Sequence, residues 1–140
     1  MKELKASAIK TILCTIDFSD STNQSIEWGI AMARQLGAHL TFLYTYRLIQ
    51  SDSDELMKLK RNKEEDARKN FAKLEKQYLL GNKISYDFQI EIGFVSDRIE
   101  DHAKKNNLNF VVMDKNFKAK NHETLEELIE HIHVPMLLVP

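Results

Sequence analysis

Apolar and β-branched residues are concentrated in five short runs, each about as long as one β-strand. The runs cover residues 9–16, 39–46, 84–92, 108–113 and 136–139. The first run does not alternate between apolar and polar residues, which is typical of a strand covered on both faces in a parallel sheet. The third run alternates almost strictly, so one of its faces should contact solvent, as in a strand at or near the edge of a sheet.

Between these runs, apolar residues recur every three or four positions, as on the buried face of an amphipathic helix. The longest stripe predicts a long helix and consists of Leu56, Leu59, Lys63, Ala67, Phe71, Leu74 and Tyr78. Gly37 and Gly81 provide stop signals for the first two helices. The predicted N-caps of the first, third and fourth helices are Ser19 or Asp20, Ser96, and Thr124 in a capping box with Glu127.

The predicted elements follow one another in the order β-α-β-α-β-α-β-α-β. Strands that alternate with helices pair in parallel through right-handed crossovers, so the sheet should be mainly parallel, with helices on both faces. No internal repeat, low-complexity tract or linker interrupts this order. The sequence therefore predicts a single α/β domain over residues 1–140.

Length and charge narrow the functional classes. The 140 residues suit one compact domain, and the net charge of -1 lacks the basic excess of proteins that bind nucleic acids or anionic membranes. No stretch approaches the roughly 18 apolar residues of a membrane span, and residues 1–8 lack the apolar core of a signal peptide. We therefore expect a cytoplasmic protein whose partner is neither a nucleic acid nor a membrane.

The sequence offers no recognisable catalytic or metal-binding motif. Cys14 is the only cysteine and lies inside the first apolar run, which predicts a small buried side chain rather than a nucleophile. There is no Gly-x-Ser-x-Gly motif, and His131 and His133, two residues apart near a helix end, should point in different directions. The sequence therefore predicts no enzymatic activity, no catalytic residue, no metal and no cofactor.

Three segments resemble the universal stress protein family. Residues 10–21, Lys-Thr-Ile-Leu-Cys-Thr-Ile-Asp-Phe-Ser-Asp-Ser, are similar to its first strand, aspartate and hydroxyl-rich turn. Residues 26–44 are similar to its first helix and second strand, and residues 133–139 to its terminal strand after a proline. The likeness extends over essentially the whole chain. It implies an open, five-stranded parallel sheet of the Rossmann-like, adenine-nucleotide-alpha-hydrolase-like type, with strand order 3-2-1-4-5.

The resemblance also implies a homodimer, which in this family is commonly joined through the last strand. The sequence agrees, because that strand is apolar, carries no charge and lies at the edge of the sheet in the implied order. A two-fold contact between two copies would satisfy its exposed backbone groups. The residues predicted at this interface are Met136, Leu137, Leu138 and Val139.

ATP-binding members of the family hold the phosphates in a loop after the fourth strand, with the pattern Gly-x2-Gly-x9-Gly-[Ser/Thr]. The glycines allow backbone N–H groups to approach the phosphate oxygens. The matching segment here, residues 113–124, contains no glycine. Asp114 stands at the first glycine position, and the final pair falls near His122 and Glu123. We therefore expect the standard triphosphate site to be absent.

Asp17 allows two interpretations. It follows the first strand, where open α/β sheets bind ligands, so its carboxylate could accept a hydrogen bond from a ligand hydroxyl or amine. Alternatively, it orients its own turn and complements the dipole of the following helix.

Three functional hypotheses remain open at this point. The first is a homodimeric stress-response protein that binds a protein partner or a small ligand without the standard ATP site. The second is a protein that binds an adenine nucleotide or another small molecule through Asp17 and the second strand near Thr45. The third is a weak enzyme that acts on a nucleotide-like substrate.

Overall fold

The computed structural model describes residues 9–48, 53–117 and 123–140. Its strands are β1 (Thr11–Thr15), β2 (His39–Tyr46), β3 (Tyr86–Ile92), β4 (Phe110–Asp114) and β5 (Met136–Val139). They form one sheet in the order β3-β2-β1-β4-β5, and every neighbouring pair is parallel. The predicted fold class and strand order are confirmed, with β3 and β5 at the two edges.

Helices connect the strands. They are α1 (Asn23–Leu36), α2 (Ser53–Leu74), α3 (Val95–Asn106) and α4 (Leu125–His131). A short 3-10 turn, Asp20–Thr22, precedes α1, and a π-helical turn, Glu75–Leu79, continues α2. The chain leaves α1 at Gly37, whose left-handed φ of 63° is the conformation that a glycine stop signal provides. No helix in the described ranges has the length and apolar character needed to cross a membrane.

Of the three predicted N-caps, the one of α4 is confirmed, and those of α1 and α3 are wrong. The Thr124 hydroxyl accepts a hydrogen bond from Glu127 N at 3.1 Å at the start of α4, as predicted. In contrast, α3 begins at Val95, so Ser96 lies inside its first turn. The Ser96 hydroxyl donates to Glu123 Oε2 at 2.6 Å. The side chain that the local sequence predicts as a helix cap is therefore used in a tertiary contact.

The central strand β1 is enclosed on both faces, as the lack of alternation in its apolar run predicted. Ile12, Leu13 and Cys14 have no solvent exposure. Helices α1 and α2 pack on one face of the sheet, and α3 and α4 pack on the other. On the α1–α2 side, the ring of Phe71 stacks on the ring of Phe88 in β3, with centroids 4.2 Å apart. Aromatic packing of this kind adds to the energy of burial.

The other face of β3 is polar, as its alternation predicted, and Asp87 ties it to β2. The Asp87 carboxylate accepts hydrogen bonds from Gln89 Nε2 at 2.6 Å, Thr41 Oγ1 at 2.7 Å and His39 Nε2 at 2.7 Å. Burial by itself would raise the pKa of Asp87, but these hydrogen bonds outweigh it and hold the pKa below the ordinary value of 3.8.

We expect Asp87→Asn to destabilise the protein near neutral pH and to have less effect in acid. A carboxylate whose pKa is lowered by folding stabilises the native state fully above its unfolded pKa, near 3.8. That stabilisation is lost as the pH falls through the lower folded pKa. Urea unfolding should therefore show a gap between variant and parent at neutral pH that closes on acidification. Asp66→Asn, on the exposed face of α2, is the control. A gap that persists in strong acid would contradict this account.

Candidate functional site

The crevice expected to bind ligands lies at the carboxyl ends of β1 and β4. These strands are neighbours, but the chain leaves them toward helices on opposite faces of the sheet, so the connections diverge there. Asp17 follows β1, and Asp114 ends β4. Thr45 lies near the end of β2, opposite Glu91. The structure thus places Asp17, Thr45 and Asp114 at the same end of the sheet, where the strands have their carboxyl ends.

Asp17 uses its carboxylate within its own turn. Asp17 Oδ1 accepts hydrogen bonds from Ser19 N at 2.9 Å and from Ser19 Oγ at 2.5 Å. Thr22 is the N-cap of α1, so the prediction of Ser19 or Asp20 at that position is wrong. Ser19 precedes the 3-10 turn, and its side chain makes no capping bond to that turn. These contacts support the interpretation in which Asp17 orients the turn.

Phe18 lies over the sheet beside the crevice in an uncommon backbone conformation. Its φ of 62° falls in the left-handed region, which bulky residues rarely adopt and which typically costs about 1–3 kcal/mol. Its ring centroid is 5.1 Å from that of Tyr44 and 6.0 Å from that of Phe88, and this aromatic packing offsets the strain. The sequence indicates no role for Phe18, because no local pattern signals a left-handed phenylalanine.

A small cleft opens beside this turn, between the start of α1 and the end of α2. Its volume is about 230 Å³, and its lining includes Phe18, Asp20, Ile26, Lys73 and Tyr78. Pockets that enclose drug-sized ligands usually measure about 300–1,000 Å³. The cleft therefore suits a molecule smaller than a nucleotide, or one part of a nucleotide.

The segment after β4 forms a tight turn that bonds to itself. Asp114 is buried, and its Oδ1 accepts a hydrogen bond from Asn116 N at 2.6 Å. Phe117 N donates to Asp114 O at 2.9 Å, and the Phe117 side chain is buried in the core on the α3–α4 side. A phosphate cradle needs backbone N–H groups that point outward and have no partner. Here the N–H groups of Asn116 and Phe117 are both bonded to Asp114.

His122 and Glu123 stand near the final Gly-[Ser/Thr] position of the family's phosphate motif. His122 lies outside the described residues. Glu123 Oε1 accepts a hydrogen bond from Ser96 N at 3.2 Å, and Glu123 Oε2 accepts one from Ser96 Oγ at 2.6 Å. The carboxylate therefore sits at the N-terminus of α3, where the helix dipole favours a negative charge. The protein's own anion occupies this helix end, and no spacing in the sequence indicated that contact.

The other candidate groups for chemistry at this site are inert or dispersed. Burial raises the pKa of the Cys14 thiol to about 12, so almost no reactive thiolate forms at neutral pH. His131 Nδ1 contacts Glu127 O, whereas His133 contacts Glu100. Across residues 9–48, 53–117 and 123–140, no three His, Cys, Asp or Glu side chains are grouped as metal ligands.

A profile of the universal stress protein family matches residues 8–140. The chain belongs to the universal stress protein family. No curated protein sequence matches this stress protein. The predicted resemblance is thus confirmed over nearly its whole length, including the segments that follow β1 and β4.

Solved structures share the fold of this stress protein. The universal stress protein UspA from Lactobacillus plantarum is 17% identical with a TM-score of 0.77, and the match covers 94% of this chain and 98% of that one. Hypothetical protein MJ0577 is 21% identical with a TM-score of 0.78, covering 94% and 95%. The universal stress protein from Archaeoglobus fulgidus, in complex with dAMP, is 13% identical with a TM-score of 0.62, covering 94% and 98%. At these identities the likeness establishes the fold.

Asp17→Ala and Ser19→Ala should destabilise this stress protein non-additively. Each variant removes the hydrogen bond between Ser19 Oγ and Asp17 Oδ1, so the double variant loses that bond only once. We expect a coupling energy of about 0.5–1.5 kcal/mol from urea unfolding of the parent, both single variants and the double variant. Asp17→Ala combined with Ser53→Ala, at the start of α2, should give additive losses. Additivity for Asp17 and Ser19 would show that their bond contributes nothing to the turn.

Proposed function

We propose that this stress protein is a cytoplasmic, homodimeric stress-response protein that acts by binding or regulation and lacks the standard ATP site of its family. The turn after β4 is the observation that carries the proposal. Asp114 stands at the first glycine position and accepts bonds from the N–H groups of Asn116 and Phe117. Two backbone donors next to the expected phosphate position are therefore already used within the protein.

Electrostatics also oppose a polyphosphate at this position. Two like charges about 4 Å apart repel by about 4 kcal/mol at the effective dielectric constant of a protein surface. One backbone hydrogen bond to a charged ligand group returns about 1.5–3 kcal/mol. Repulsion by the Asp114 carboxylate would thus cancel the gain from about two such hydrogen bonds.

Thermal unfolding in the presence of nucleotides tests the proposal. We expect saturating ATP, AMP and cyclic AMP to leave the melting temperature unchanged. A nucleotide that binds the folded protein and is present at 100 times its Kd would stabilise the fold by about 2.7 kcal/mol, which such a measurement detects easily. A clear upward shift with ATP would contradict the proposal. Steady release of phosphate from ATP would instead favour the hypothesis of a weak enzyme.

Binding of a smaller adenine ligand is the second candidate function. The Archaeoglobus fulgidus relative was solved with dAMP. In this chain Asp17 follows β1, and Thr45 lies near the end of the neighbouring strand β2. A nucleoside monophosphate could contact the Asp17 carboxylate and the β2 backbone near Thr45 without using the turn after β4. A rise in melting temperature with AMP but not with ATP would support this candidate. The rise should be lost in Asp17→Ala and retained in Asp66→Ala.

The proposed dimer uses the free edge of β5. In the sheet of the described residues, β5 pairs with β4 on one side and lies at the edge on the other. Leu138 is 37% exposed, whereas Val139 is 2% exposed and packs in the protomer's own core. An apolar groove of about 350 Å³ beside this edge includes Met136 and Leu137. We therefore assign side-chain contact to Met136, Leu137 and Leu138, and backbone contact to Val139.

Leu138→Lys should convert the dimer to a monomer, because an ammonium group at a two-fold contact faces its own copy across an apolar surface. Light scattering of the purified protein measures this directly. Ile129→Lys, on an exposed position of α4, should keep the parent mass. A monomeric parent would refute the dimer, and an unchanged mass for Leu138→Lys would assign the contact to another surface.

A further inference from the structure

Three side chains form a continuous hydrogen-bonded chain on the polar face of β2 and β3. Ser85 Oγ lies 2.6 Å from His39 Nδ1, and His39 Nε2 lies 2.7 Å from Asp87 Oδ1. His39 is the first residue of β2, Ser85 comes immediately before β3, and Asp87 is the second residue of β3. Leu40 pairs with Tyr86, and side chains two residues apart share one face of a strand, so this register brings the three together.

Asp87 determines which nitrogen of His39 carries the proton. A carboxylate only accepts hydrogen bonds, so His39 Nε2 bears the hydrogen that faces Asp87, and Nδ1 presents its lone pair to the Ser85 hydroxyl. Thr41 Oγ1 at 2.7 Å and Gln89 Nε2 at 2.6 Å hold the Asp87 carboxylate in place. The order of serine, imidazole and carboxylate is that of a nucleophile with a base in reach and a third group that orients the base.

We propose that Ser85 is the nucleophile and His39 its general base in the hydrolysis of short-chain carboxylic esters, with Asp87 as the positioning residue. This activity goes beyond the proposed function and does not depend on it. The three residues lie at the amino ends of the strands, whereas the crevice lies at the carboxyl ends. The proposal would replace the sequence-based expectation that the chain has no catalytic residue.

The arrangement is accessible to a small substrate. The side chains of His39 and Asp87 are 37% and 36% exposed, and Ser85 is exposed. Ligands with large apolar groups are usually enclosed in deep pockets. An open polar surface of this kind therefore favours esters with short acyl groups.

The backbone beside Ser85 offers a hydrogen-bond donor for the oxyanion. Leu40 N donates to Ser85 O at 2.9 Å, so the Ser85 carbonyl points toward β2. Because the peptide group is planar and trans, the N–H of Tyr86 points the opposite way, toward the free edge of β3. In α/β-hydrolases, the N–H of the residue after the nucleophile stabilises the negative charge of the intermediate. Tyr86 N–H occupies that position in the chain.

The reaction balances with water as the only co-reactant. Ser85 Oγ bonds to the carbonyl carbon of the ester while its proton passes to His39 Nδ1. The bond between that carbon and the alcohol oxygen then breaks, and the alcohol leaves with the proton from His39. Water attacks the acyl-serine and gives a proton to His39, which returns it to Ser85 as the carboxylic acid departs.

Hydrolysis of p-nitrophenyl acetate by the full chain tests the proposal. Ser85→Ala and His39→Gln should each lower kcat/KM by about 10² or more, because each removes a group that takes part in bond making or proton transfer. Asp87→Asn should lower kcat and leave KM unchanged, since it disturbs the tautomer of His39 without removing substrate contacts. Ser53→Ala, an exposed serine at the start of α2, should keep the parent rate.

Covalent labelling of the parent gives a second readout that does not depend on turnover. With a fluorophosphonate probe, Ser85 Oγ should bond to phosphorus as fluoride leaves and His39 takes the proton. Peptide mass spectrometry should find the adduct on Ser85 in the parent and in Ser53→Ala, but not in a folded His39→Gln variant. Equal ester hydrolysis by the parent and Ser85→Ala would overturn the proposal, as would an adduct on another residue only or no adduct. The network would then be a structural tie between β2 and β3.

Discussion

Parallel pairing of β1 with both β2 and β4 determines where the polar groups of this protein can act. Residues such as Leu13 are fully buried, so the β1 backbone must bond to neighbouring strands rather than to water. Parallel pairing then places the carboxyl ends of all five strands at one end of the sheet and their amino ends at the other. Asp17 and Asp114 consequently lie at the carboxyl ends, and His39 contacts Ser85 at the amino ends.

At the carboxyl ends of the strands, groups of the protein itself accept hydrogen bonds from the backbone of the turn after β4 and of the first turn of α3. Asp114 accepts hydrogen bonds from the backbone of Asn116 and Phe117, and Glu123 accepts them from Ser96 at the start of α3. The buried Phe117 ring also resists reopening of the turn, because withdrawing a large aromatic side chain from a core costs about 3–5 kcal/mol. Charge and packing therefore both support the proposal that the standard triphosphate site is absent.

The two edge strands differ in how their surfaces are used. On β3, the Asp87 carboxylate joins Thr41 and His39 of β2 in a polar network that holds the strand to the sheet. Polar and charged groups on an edge strand discourage pairing with another chain. On β5, the exposed Leu138 and the adjoining apolar groove provide no such barrier, which supports the proposed homodimer.

The alternation of strands and helices, and with it the α/β class, was determined by the sequence alone, because both follow from side-chain spacing within short segments. The loss of the phosphate glycines could also be read directly from the residues after β4, whereas the strand order needed the family resemblance, since local spacing does not say which strands pair. Only the tertiary structure decided the rest. Glu123 bonds to Ser96, which is 27 positions away in the sequence, and His39 bonds to Ser85, which is 46 positions away. Phe18 adopts a left-handed conformation in which its ring packs against Tyr44. These contacts exist only after distant segments pack and pair, and no local pattern encodes them.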